Sequence, residues 1–251
     1  MLIRHTALGT IRVTLLTLTL VLVAGCGTAA PDPDQGTNGI GRQSPGTIVA
    51  EARAAALAAS SVRLSGSVVS GGAAYRLDML LSADGGTGKV SNAGRTFELL
   101  RVGSKLYVKG DAAFYADAGA SAAGAAKAAV STAASTLEGR YVRVHSSDPA
   151  YQELSVFTDK AALLGSVVDL GGKVHKGDRT EVAGRRTVAV TADGGNTLQV
   201  SLEGTPYPVR VERAGHAGTL NLTDFGKHVT ITAPDADQVL DYGTGVHGRK
   251  S

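Results

Sequence analysis

The sequence predicts an α+β protein: a long, strongly curved antiparallel sheet of about eleven strands, with helices covering its concave apolar face. Three observations predict it. Apolar residues recur at alternate positions in many short runs. The runs are separated by Gly-, Asp- and Asn-containing turns too short for parallel crossovers, so neighbours pair antiparallel. The segments with helical spacing fall between blocks of strands, where they can cover one face.

Thr47 to Ser60 is the first helix, with Ile48, Val49, Ala52, Ala55, Ala56 and Leu57 on one side. Period two then takes over. Val62, Leu64, Gly66 and Val68 alternate with Arg63, Ser65 and Ser67, and Tyr75, Leu77, Met79 and Leu81 follow across Gly71-Gly72. Asp84-Gly85-Gly86 turns into short strands at Gly88–Ser91, Thr96–Val102 and Lys105–Lys109. The span 112–137 breaks the rhythm with 13 alanines, which favour helix, and with Gly119 and Gly124, which weaken it. Arg140–His145 is a strand. Thr158 to Leu170 is a helix, capped by Thr158, with Ala162, Leu163, Ser166, Val167 and Leu170 on one side and Gly171-Gly172 ending it. The remainder is strand: Lys173–Val182, Arg185–Ala192, Thr197–Leu202, Val209–Arg213, Gly218–Asp224 and His228–Ala233.

The N-terminus carries an address. Arg4, His5 and Arg12 precede the apolar run Val13 to Ala24. A twelve-residue helix is about 18 Å long, short of a hydrocarbon layer of about 30 Å. The run ends in Val23-Ala24-Gly25-Cys26, which matches the bacterial lipobox, and Cys26 is the only cysteine. The expected organisation is a lipoprotein signal peptide over 1–25, a lipidated N-terminus and flexible tether over 26–45, a folded domain over 46–242, and a disordered tail over 243–251. A diacyl chain plus an N-acyl group, palmitate among the usual chains, supplies the two signals that stable anchoring needs. The protein is therefore expected on the outer face of the cell membrane.

Composition narrows the function. Of 25 Lys and Arg, Arg4 and Arg12 lie before the cleavage point, leaving 23 against 22 acids. That balance argues against nucleic acid as a partner. A single cysteine allows neither an intramolecular disulfide nor a cysteine-rich metal site. Gly-x-Ser-x-Gly, His-Glu-x-x-His and Ser-x-x-Lys do not occur. Ala83 to Val90 lacks the first glycine and the final Ser/Thr of a phosphate loop, and Gly243 to Gly248 has no helix after it. No catalytic residue, metal site or cofactor is assigned, and the reading is non-enzymatic.

Several stretches carry a family resemblance. Pro206-Tyr207-Pro208-Val209-Arg210-Val211-Glu212, Leu220-Asn221-Leu222-Thr223-Asp224-Phe225-Gly226 and Val229-Thr230-Ile231-Thr232-Ala233-Pro234 resemble the closing strands of LppX/LprG-type actinobacterial lipoproteins. So do Leu106-Tyr107-Val108-Lys109-Gly110 with Phe114, and Gly139-Arg140-Tyr141-Val142. That family is similar in fold to the LolA/LolB lipoprotein carriers. The resemblance implies a half-barrel with an apolar cavity under its helices. It also implies binding or movement of acylated envelope lipids. The Ala- and Gly-rich 112–137 segment departs from the family pattern.

The candidate lining of that cavity is Leu77, Met79 and Leu81; Phe97 and Leu99; Leu163, Leu164 and Val167; and Leu198, Val200 and Leu202. The same residues serve equally as a packed core. Eleven Phe and Tyr and no Trp leave few large groups to plug a wide half-barrel. The expected function is a monomeric, membrane-anchored lipoprotein that binds, and on a further reading transports, a lipid or other amphiphile. The alternative is an envelope scaffold or sensor with a filled core and a protein partner.

Overall fold

A computed structural model, describing residues 32–111, 114, 115, 137 and 139–241, turns the alternating runs into twelve strands of one open, curved sheet. The first six are β1 Ser61–Ser70, β2 Ala73–Ser82, β3 Gly85–Asn92, β4 Arg95–Val102, β5 Lys105–Gly110 and β6 Tyr141–Val144. The rest are β7 Val174–Val182, β8 Arg185–Ala192, β9 Thr197–Ser201, β10 Pro208–Arg213, β11 Gly218–Thr223 and β12 Val239–Leu240. Their spatial order is β12-β6-β5-β4-β3-β2-β1-β11-β10-β9-β8-β7. Two meanders thus grow outward from a central β1–β11 pair, in which Leu64 lies opposite both Met79 and Leu222. Neighbours are antiparallel except β12, which runs parallel to β6. The expected α+β class is what the chain adopts.

Alternation sets the faces. Leu64, Met79, Leu99, Leu198, Val200 and Leu220 point to one side and are almost wholly buried. Arg63 and Asp78, diagonal neighbours on β1 and β2, sit on the other side, joined by a bidentate ion pair at 2.7 and 2.9 Å. Gly66, inside β1, has φ +142°, and a Cβ there would fall 2.1 Å from the Thr219 carbonyl oxygen. A glycine at such a point lets the sheet coil without steric conflict. The outer edge strand β7 is exposed, charged and bulged between Lys176 and Arg179, which discourages pairing with another chain.

Among the described residues, three helices cover the buried side: α1 Pro45–Ala58, α2 Pro149–Ser155 and α3 Lys160–Val168. The Ser44 hydroxyl caps α1 by accepting from the Thr47 amide, and Pro45 occupies the first turn, where no amide is needed. Ile48, Ala52 and Ala56 are buried against the sheet. Asp159, not Thr158, caps α3, accepting from the Ala162 amide at 2.9 Å. Thr158 closes a short 3-10 turn, Val156–Thr158, and its hydroxyl is committed to Ser155 and Arg101.

Two further differences have simple causes. The sequence assigns His228–Ala233 to a strand, yet the segment forms none. Both sides of β11 are already paired, with β1 and β10, so the chain that follows has no edge to join. It reaches the far edge instead and adds β12 beside β6, where Arg143 and His145 hold Asp241 at 2.9 and 2.7 Å. The helix α2 escaped the periodicity because its seven residues bury no side chain fully.

Residues 34–44, expected within a flexible tether, are held against the sheet. Asp34 accepts from Arg179 at 2.7 Å and Arg42 at 3.3 Å, and Ile40 is buried. The guanidinium of Arg179 holds the Asp34 carboxyl below the usual carboxylate range; desolvation opposes the shift, and Arg42 reinforces it. Cys26, the signal segment, most of the Ala-rich span and the 243–251 tail lie outside the described residues. Among the described residues no helix is long and apolar enough to cross a membrane.

Candidate functional site

The helical layer is fixed at three points by cations that satisfy helix-end or turn carbonyls. Lys160 donates to the carbonyls of Leu57 and Ala59, at the end of α1. Arg213, from β10, donates to Ser166, Val167 and Asp169 at 3.0 Å, at the end of α3. Arg101, from β4, donates to the hydroxyl and carbonyl of Thr158 at 3.1 and 2.8 Å. Helix C-termini attract cations, and each donor closes a carbonyl that the helix leaves unpaired. Burial pushes the Arg213 pKa below its ordinary value, and the neighbouring Asp169 opposes that shift.

The layer and the sheet are closed together at one end and open at the other. At the closed end a Cβ on Gly86 would meet the Thr158 carbonyl oxygen at 2.8 Å, so only glycine lets the turn seat there. At the open end two pockets of about 390 Å³ each enter between sheet and helices. The first is lined by Val68, Val69, Tyr75, Leu77, Val156, Phe157, Leu163, Val167 and Leu220, with Ser70, Ser166 and Arg213 as its polar groups. The second is lined by Tyr75, Phe97, Phe114, Leu154 and Phe157, with Asn92, Arg95 and Glu153 at its rim.

Tyr75 and Phe157 belong to both pockets, their ring centroids 6.4 Å apart, and form the wall between them. Phe97 and Phe114 pack at 4.8 Å behind the second. Among the described residues, the large hydrophobic side chains that remain exposed are Val69 at 47% and Val156 at 42%. Both stand at the mouth of the first pocket. Apolar walls with a sparse polar rim suit the apolar part of an amphiphile, with no bond made or broken.

The eleven residues proposed from the sequence are all buried and separate into two groups. Leu77, Leu163 and Val167 line the first pocket and Phe97 the second. Met79, Leu81, Leu99, Leu164, Leu198, Val200 and Leu202 line neither pocket and belong to the packed core. Their exposures of 0–1% leave no water-sized space beside them. Val69, Val156, Phe157 and Arg213 went unassigned. A signal for two of them was present: Asp148-Pro149, a helix-start pair, precedes a segment in which Ala150, Tyr151, Leu154, Val156 and Phe157 are apolar or aromatic. Among the described residues no three His, Cys, Asp or Glu side chains converge on a metal position.

The architecture is that of an open half-barrel whose concave side is roofed by helices. No family model and no curated protein matches the chain. Solved structures do match. LprF from Mycobacterium bovis aligns over 76% of this chain and 96% of its own, at 16% identity and a TM-score of 0.50. The lipoprotein LppX of Mycobacterium tuberculosis aligns over 74% and 99%, at 14% identity and a TM-score of 0.41. An uncharacterized conserved protein from Thermus thermophilus aligns over 79% and 99%, at 9% identity and a TM-score of 0.35. The match to LprF shows a shared fold, in accord with the LppX/LprG-type resemblance of the sequence.

Proposed function

We propose that this chain is a lipid-anchored, extracytoplasmic binding protein that holds the apolar part of a lipid or other amphiphile in the cleft divided by Tyr75 and Phe157. One observation carries the reading: the exposed large hydrophobics Val69 and Val156 both line the same apolar pocket. Water covers such surface only at a cost, and each methylene that replaces it contributes about 0.8 kcal/mol. The lipobox-like Val23 to Cys26 supports the anchor, with signal peptide removed and Cys26 acylated. The likeness in fold to LprF is consistent with it. The protein acts without covalent chemistry in this reading, and transfer to a partner would follow from the same open mouth.

A second reading has its own support. Seven of the proposed lining residues are packed at 0–1% exposure, which suits an interaction protein with a filled core. The two readings separate in one experiment. Residues 27–251, secreted from a lipid-rich actinobacterial host, are weighed by native mass spectrometry. The binding reading expects an added mass that is lost on denaturation and recovered in the organic extract. Val69→Asp and Val156→Asp, at exposed positions, should abolish it without lowering the melting temperature. A clean apo mass with no uptake of offered acyl lipids refutes binding and favours the scaffold.

A further inference from the structure

We infer that the end of the sheet opposite the mouth is a docking face for an anionic membrane surface, so that the anchored protein stands with its cleft directed away from the bilayer. This rests on the reading that Cys26 carries the anchor.

A pocket of about 520 Å³ lies at that end, on the β10–β11 side and next to the β7–β8 turn. Tyr207 and Phe225 stack within it, centroids 4.1 Å apart and rings parallel to 1°. Three cations line it, Arg185, Arg210 and Lys227, against one carboxylate, Asp224, which Lys227 holds at 2.6 Å. Glu203 and Glu212 stand nearby, at 2.9 Å from Arg186 and 4.0 Å from Arg210. A half-buried aromatic pair with Arg185, Arg210 and Lys227 in the pocket lining around it is suited to a headgroup layer, where rings sit at the interface and Lys and Arg meet lipid phosphate.

The path of the chain selects the membrane as the occupant. Arg186 donates to the carbonyls of Gln35 and Gly36 at 3.2 and 2.8 Å, and Asn38 donates to Ser201 and Gly204 at 3.0 and 2.9 Å. The segment leading from Cys26 therefore meets the domain at this same end. The mouth is a full strand away. Ser61 bonds the Asp224 and Lys227 carbonyls at the docking end, while Val69 and Ser70, at the other end of β1, reach the mouth. Ten residues of strand span about 33 Å. From Cys26 to Gln35 the chain reaches about 32 Å only when fully extended, so an inverted protein would hold it taut.

The chain contains no tryptophan, so a single introduced one reports alone. The full lipidated protein, carrying Thr205→Trp in the exposed β9–β10 loop or Ala74→Trp, exposed at the mouth end of β2 but lining neither pocket, is reconstituted into vesicles of one part phosphatidylglycerol to two of phosphatidylcholine. A fraction of the lipid is brominated to quench tryptophan by contact. The expected result is quenching at residue 205, none at residue 74, and loss of quenching in phosphatidylcholine alone. Arg185→Gln with Lys227→Gln, both exposed, should shift the docked state about 25-fold toward the undocked one, each cation contributing about five-fold. Lys89→Gln, on a different part of the sheet, should leave it unchanged. Quenching at 74 rather than 205, at both equally, or at neither overturns the docking face and leaves lipid uptake by the cleft untouched. A protein that does not enter the vesicles overturns the anchor at Cys26 first, and this inference with it.

Discussion

Replacing Phe157 with alanine should join the two pockets into one. Each holds about 390 Å³, and the Phe157 ring is part of the wall between them. Removing a buried phenylalanine costs 3–5 kcal/mol, and this one is half-buried, so about 2 kcal/mol is expected. In a domain of this size that lowers the melting point by about 4–8 °C, leaving the variant folded for assay. At about 30 Å³ for each small group, one pocket takes roughly a dozen methylenes. A fluorescent fatty acid bound to the protein is displaced with saturated acids of rising length. In the wild type, affinity should rise about four-fold per methylene and flatten once a pocket is full. In Phe157→Ala the plateau should move to chains several methylenes longer. An unchanged plateau in a folded variant would refute the reasoning, because the chain would then lie somewhere other than this cleft.

Other outcomes follow from the same geometry. Gly66→Ala places a Cβ 2.1 Å from the Thr219 carbonyl at φ +142°, and should cost about 3 kcal/mol in urea unfolding; a loss below about 0.5 kcal/mol on that scale would mean the sheet bends elsewhere. Lys160→Met leaves the carbonyls of Leu57 and Ala59 unpaired and should cost about 1–2 kcal/mol, with faster hydrogen exchange at the end of α1. The folded pKa of Asp34 lies below its unfolded value of about 3.9, so its contribution is complete above that pH and lost as pH falls through the lower folded value. The protection factors of residues 35–43, which correct the exchange rates for the intrinsic pH dependence, should therefore fall on acidification below about pH 4, and Asp34→Asn should show the low protection at neutral pH.

Much of the fold was legible because strands with one wet face write their register into the chain. Leu77, Met79 and Leu81 announce β2 and its buried side, and a slip of one residue would turn all three to solvent. Where packing rather than pattern decides, reading failed. Val229 and Ile231 look like strand residues, but β11 offers no free edge. Val239 and Leu240 are only two residues, and their place beside β6 is settled by Arg143, His145 and Asp241 from distant parts of the chain.

The candidate site shows the same division. Composition and alternation determined an open sheet with an apolar face, roofed by helices, and named Leu77, Phe97, Leu163 and Val167 among its residues. Alternation cannot distinguish a side chain that packs from one that lines a void, since both are apolar and face the same way. Only the tertiary structure separated Met79 and Leu198 in the core from Leu77 in the cleft, because that depends on how closely the helices approach each point of the sheet. That approach is set by Arg101, Lys160 and Arg213 reaching across from other elements to carbonyls they could not meet by sequence spacing. It seats the helices tightly at Gly86 and leaves them parted at Val69 and Val156.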